Sequence, residues 1–189
     1  MDADFAVELG AEDETLELPW AAEGGPRYYD LKRQPELLLE IEEARRFLEL
    51  GEFLSHINSG NLETAKCDAW ATTEMNVEDE IFGAAWKFGS YVDLVLSDTE
   101  ARFSFPQHEL LVKRLVQLLK KAPQIPCAAE FLVRRCFYHL GSETRDGLYI
   151  TFYLFGYGED EGQARQRWGV GLQLVENAIR QIEAEWRPV

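Results

Sequence analysis

The chain has 189 residues, 34 acidic and 19 basic, for a formal charge of -15, and 46% of it is hydrophobic. That composition fits one globular domain, and folding it buries roughly 70% of the unfolded chain's surface, so its core needs neither metal nor disulfide. The acidic balance argues against nucleic acid and anionic lipid as partners, because both attract clustered Lys and Arg, while three cysteines (Cys67, Cys127 and Cys136) without a Cys-x-x-Cys pair suit a reducing compartment.

Residues 1–26 carry eight acids and no base. An acidic, mobile N-terminal extension over 1–27 is therefore expected, followed by a single α+β domain over 28–189. The first residues lack the basic-then-apolar order of a secretory leader, and the longest apolar run, 148–155, is too short to span a membrane, so the expected location is cytoplasmic, without membrane insertion. Within the extension Leu16, Leu18 and Trp20 stand in an acidic context ahead of Gly24-Gly25-Pro26. They leave a second reading open, a strand or short anchor docked on this chain or on a partner.

From Pro35 the apolar positions Leu37, Ile41, Ala44 and Leu48 repeat at helical spacing, and the helix is expected to continue or restart past Gly51 until Asn58-Ser59-Gly60-Asn61. Residues 64–75 alternate, with Ala65, Cys67, Ala69 and Ala71 opposite Lys66, Asp68, Trp70, Thr72 and Glu74, as in a strand. After the acidic turn MNVEDE, residues 86–97 read as a second strand, and Arg102 to Phe105 as a short third. Ser104 and Gln107 fit a capping box for a helix with the stripe Leu111, Leu115, Leu118 and Ala122. Strands at 128–139 and 147–157 should form an antiparallel hairpin, and a last helix opens at Asp160 and Gln163 with the seam Trp168, Leu172, Val175, Ile179, Ile182 and Trp186. Gly169 and Gly171 in that helix suggest close backbone approach to the sheet.

The expected fold is thus α+β, an antiparallel sheet of about five strands with helices mainly on one face, in the order α-β-β-β-α-β-β-α. This element order, with no residue motif, resembles that of the type III secretion chaperones, small acidic dimeric proteins that hold unfolded segments of their clients. The resemblance implies a protein-binding role and leaves a homodimer open.

Candidate chemistry is sparse. The run Gly156-Tyr157-Gly158-Glu159-Asp160-Glu161-Gly162 lies between a strand and a helix, but its spacing and three acids do not suit a dinucleotide pyrophosphate, and no cofactor is expected. Cys136 and His139 fall on opposite faces of a strand, and Glu52 with His56 lacks a third ligand, so no metal is expected. No serine or cysteine stands in a nucleophile motif, and Cys67 and Cys136 read as small core residues. Arg134 and Arg135 face opposite sides of one strand, and the one turned inward needs a carboxylate, with Asp93, Glu130 and Glu74 as candidates.

The strongest feature is a strand apolar on both faces. Leu148, Ile150, Phe152 and Leu154 fill one side, leaving Tyr149, Thr151, Tyr153, Phe155 and Tyr157 on the other. With Trp70 and Tyr91 they would make an acid-edged aromatic surface suited to protein recognition, unless the N-terminal helix or Leu16 to Trp20 covers it. The resulting expectation is a non-catalytic protein-binding module, a regulator, assembly factor or chaperone-like adaptor, with contacts through Trp70, Tyr91, Tyr149, Tyr153, Tyr157, Leu16, Leu18 and Trp20. The alternatives are an enzyme or small-ligand receptor with a pocket near Trp70, Trp86, Tyr91 and Arg134, and an acidic inhibitor or immunity-type protein.

Overall fold

A computed structural model describes residues 1–70, 73–75 and 82–185; Thr72, most of the MNVEDE turn and Trp186 lie outside them. The described chain is α+β, with a mixed sheet. Its strands are β1 (Asp2–Glu8), β2 (Thr15–Leu18), β3 (Leu62–Ala69), β4 (Thr73–Glu74), β5 (Trp86–Leu96), β6 (Cys127–Leu140) and β7 (Glu143–Gly158). They run in the order β1-β6-β7-β5-β3, with β2 also on β6 and β4 also on β5. The sheet is therefore five columns wide, each outer column being broken into two strands.

The three central columns are antiparallel, as the alternating sequence predicts: β6 and β7 form the hairpin and β5 joins the far edge of β7. The first column corrects two expectations. Both β1 and β2 pair with β6 in parallel, Asp2 opposite Ala128 and Leu18 opposite Tyr138, so the sheet is not purely antiparallel. Within the stretch read as an extension, Asp2–Glu8 and Thr15–Leu18 supply an edge of the sheet. Acidic positions 2, 4 and 8 fall on one face of β1 and Ala3 and Phe5 on the other, packed on the core, which reconciles a charged sequence with a strand.

Three further expectations change. Residues 35–59 form a 3-10 turn (Pro35–Glu40), α1 (Glu42–Arg46) and α2 (Leu48–Ser59), interrupted at Ile41 and Phe47, both extended. The second break inserts Phe47, 5% exposed, against Phe88 and Trp168 at 5.1 and 6.0 Å, and turns Leu48 out to solvent. Packing of one large ring thus overrides the helical repeat. Residues Ala101–Phe103 are a 3-10 turn rather than a strand, because the Asp98 carboxylate accepts from the amides of Glu100 and Ala101 and bends the chain. Ser104 precedes α3 (Phe105–Lys121) without a side-chain cap bond, whereas α4 (Glu161–Glu185) opens on the expected pair: the Gln163 amide donates to Asp160, and the Glu159 amide to the Gln163 side chain.

Helices α2, α3 and α4 bury their stripes in one core against the inner sheet face, where Leu148, Ile150, Phe152 and Leu154 meet Trp168, Leu172, Val175 and Ile179. Gly171 lies where a Cβ would crowd Cys127 and Leu154, as close approach to the sheet requires, while Gly169 faces Glu49 of α2 instead. No described helix is long and apolar enough to cross a membrane. Helices α2, α3 and α4 lie on the inner face, and among the described residues the outer face is covered in part by the N-terminal segment and by Phe103 of the 3-10 turn.

Candidate functional site

The outer face divides into a covered half, a polar centre and an open aromatic half. The covered half is a second apolar cluster of Leu18, Ala65, Val95, Cys136, Tyr138 and Tyr149, with Leu16, Trp20, Tyr28 and Phe103 against it. A bulge between Thr64 and Lys66 turns Ala65 toward this cluster and frees its carbonyl, which accepts from the Trp20 indole N–H at 2.7 Å. Farther along, the Lys32 ammonium donates to the carbonyls of Asn58, Gly60 and Leu62, tying the segment down. Leu16, Leu18 and Trp20 therefore dock on their own chain.

At the centre, Thr151 donates its hydroxyl to Asp93 at 2.7 Å, and Arg134 reaches the same hydroxyl at 3.3 Å. The guanidinium also bonds Glu8 at 2.7 Å and Glu14 at 3.2 Å. Neither carboxylate was among the partners expected for Arg134, because both come from the segment read as a tail. It is Arg134, on the outer face opposite Tyr149, that is enclosed, and Arg135 faces Asp146 at the sheet margin.

Asp93 is 5% exposed, and burial pushes its carboxyl well above the usual aspartate value, to about 6; the Thr151 hydrogen bond opposes this, Glu14 adds to it, and Lys66 and Arg134 lower it. A raised folded value means that the neutral acid is favoured by folding. That contribution is complete below about pH 4 and is lost as pH rises through about 6. Asp93→Asn keeps an acceptor for Thr151 and carries no charge. Relative to this variant, the native protein should lose up to about 3 kcal/mol of stability between pH 4 and 7 in denaturant melts. Parallel pH profiles for the two proteins would contradict the assignment.

The open half holds four rings. Trp70, Tyr153 and Phe155 have centroids 6.0–6.5 Å apart and planes within 5° of parallel, and Tyr91 leans on Trp70 and Tyr153 at 6.1 and 6.0 Å. Gly89 makes this possible, since a Cβ there would come within 2.7–2.8 Å of the Trp70 and Phe155 rings. Across the register one row reads Asp68, Tyr91, Tyr153, Glu130, Asp4, so the rings are flanked by carboxylates on both sides. Trp70 is 38% exposed, and Tyr91, Tyr153 and Phe155 are half-buried.

Of the residues expected on one surface, the structure brings Trp70, Tyr91 and Tyr153 together. It separates Tyr149, 1% exposed beneath the docked segment, and Tyr157, 5% exposed and flanked by Phe82 at 5.4 Å. Phe155 joins the cluster although only its strand position, and no separate motif, marked it. The polar centre was legible only as Arg134's need for a carboxylate. Cys127 and Cys136 are buried and Cys67 half-buried; burial pushes all three thiols up to about 12, far from nucleophilic use. In Gly156 to Gly162 the strand glycines are occupied by α4 itself, whose backbone at Ala164 and Trp168 lies against Gly156. Among the described residues no group of three or more His, Cys, Asp or Glu side chains is arranged to hold a metal ion. Compared with known proteins, the chain matches no family model, no curated protein and no solved structure.

Proposed function

We propose that this protein is a non-catalytic protein-binding module, a regulator, assembly factor or chaperone-like adaptor, whose contact surface is the open half of the outer sheet face. The observation that carries this reading is the group of near-parallel rings Trp70, Tyr153 and Phe155, with Tyr91 tilted against them, on a sheet face over which no helix packs among the described residues. Rigid aromatic side chains bury large area at little entropic cost, which is why they dominate binding energetics at protein interfaces. The flanking acids Asp4, Asp68 and Glu130 suit a partner surface that combines apolar and basic residues. A cytoplasmic location accompanies this reading, since three reduced thiols fit a reducing compartment.

The test is capture of partners from the native cell by tagged protein, read by mass spectrometry. The Trp70→Ala, Tyr153→Ala double variant should keep a cooperative melt and lose the principal partner, each ring contributing about 2 kcal/mol to binding. A folded double variant that captures the same proteins in the same amounts would overturn the proposal.

A further inference from the structure

Beside the open half lies a cleft of about 650 Å³, where residues 20–31, the turn into α1 and β3 converge. Its volume is in the range of pockets that take small organic molecules, roughly 300–1,000 Å³. Trp20, Tyr29 and Tyr91 supply aromatic wall, and Glu40, Glu42, Glu43 and Asp68 supply four carboxylates. Glu43 and Asp68 are half-buried, and none of the four makes an ion pair among the described residues. The two bases of the lining face rings instead. The Lys66 ammonium sits 5.9 Å from the centroids of both Trp20 and Tyr91, and the Arg27 guanidinium 5.7 Å from Tyr29. These walls already hold cations by their π-faces, while of the carboxylates beside them Asp68 accepts from the Ala69 amide at 2.7 Å and none is closed into an ion pair by Lys66 or Arg27. The field at the floor has the same sign: after burial itself, Glu43, Asp68 and Asp93 all push the Cys67 thiol upward.

We infer that this cleft is a binding site for an organic cation, an ammonium or guanidinium group on an apolar stem. The stem lies against Trp20 and Tyr91 and the charged head meets Glu43 and Asp68. This site adjoins the ring surface of the proposed interface and shares Tyr91 and Asp68 with it, but it is read with small cationic probes and the Trp20 signal, so either proposal can fail without the other. The same chemistry could arrive as a free amine or as a Lys or Arg side chain on a protein.

The experiment is calorimetric titration of the full chain with spermidine, N-acetyl-arginine amide, an Arg-containing pentapeptide and, as an anionic control, N-acetyl-glutamate. Saturable binding of cationic probes is expected, with none for the control. Glu43→Gln with Asp68→Asn should weaken it about tenfold or more, since the charges go and the shapes stay. In NMR spectra of the native protein the Trp20 indole N–H resonance should move along the same saturation curve, which locates the site even if the double variant does not fold. Equal affinity for the free amide and the pentapeptide assigns the site to small molecules, and a clear preference for the peptide assigns it to a protein side chain. No saturable cation binding, binding unchanged in a folded double variant, equal binding of the anion, or an unmoved Trp20 signal would each overturn the inference.

Discussion

Replacing Gly156 with alanine should lower the unfolding free energy by about 3 kcal/mol or more, the upper end of what overpacking costs. The added Cβ would fall inside 3.0 Å of backbone atoms of Ala164 and Trp168, and backbone cannot swing aside as a side-chain tip can. Relief would require the first turns of α4 to lift from β7, taking with them Trp168, which is fully buried, tilted against Phe88 with ring centroids 4.6 Å apart and bonded through its indole N–H to Ser90 at 2.8 Å. The matched control is Gly162→Ala, six residues on, where the new methyl would meet Asp160 at an ordinary 3.4 Å. Placed in the first turn of α4, that change should be neutral or stabilising by up to about 1 kcal/mol. Urea melts of the two variants decide the matter, and a Gly156→Ala protein within about 0.5 kcal/mol of native would show that the strand and helix are not in this contact.

Tyr149→Ala should cost about 3–5 kcal/mol, the range for deleting a large buried ring, whereas Tyr153→Ala should cost much less. Both tyrosines leave the same face of β7 four residues apart, and the strand alone treats them as equivalent. What separates them is the segment that returns over one and not the other: Leu18 and Tyr138 pack with Tyr149, while Tyr153 keeps company with Trp70, Tyr91 and Phe155. Thermal or urea unfolding with tryptophan fluorescence reads the difference. Equal losses would mean that the docked segment does not protect Tyr149.

That contrast also marks how far the sequence could be read. The alternation of β5, β6 and β7 and the seam of α4 are local patterns with one physical cause each, and they were legible. β1 was not, because an edge strand with acids on its outer face has no stronger periodicity than a solvated tail, and β2 was legible only as one of two readings of Leu16 and Leu18. The break at Phe47 was hidden for a different reason, since only Phe88 and Trp168, 41 and 121 positions away, make it favourable. At the candidate site the two-faced strand revealed that a second surface exists, but not which rings it exposes. The cleft was out of reach, as its walls come from four stretches whose meeting no spacing encodes.

The parallel column has a consequence for synthesis. Asp2 pairs with Ala128 and Leu18 with Tyr138, so strands made first find their partner only after more than a hundred further residues have left the ribosome. At roughly 5–20 residues per second the leading segment spends about 6–25 s with its amides and carbonyls unpaired. A segment of that kind built from Val, Ile and Phe would be a template for the wrong neighbour on every adjacent nascent chain. Eight acids in the first 26 residues make it repel its own copies during that interval. Two of those acids, Glu8 and Glu14, are then spent on Arg134 when β6 arrives. The charge that makes this stretch look like a tail is what lets it wait as one.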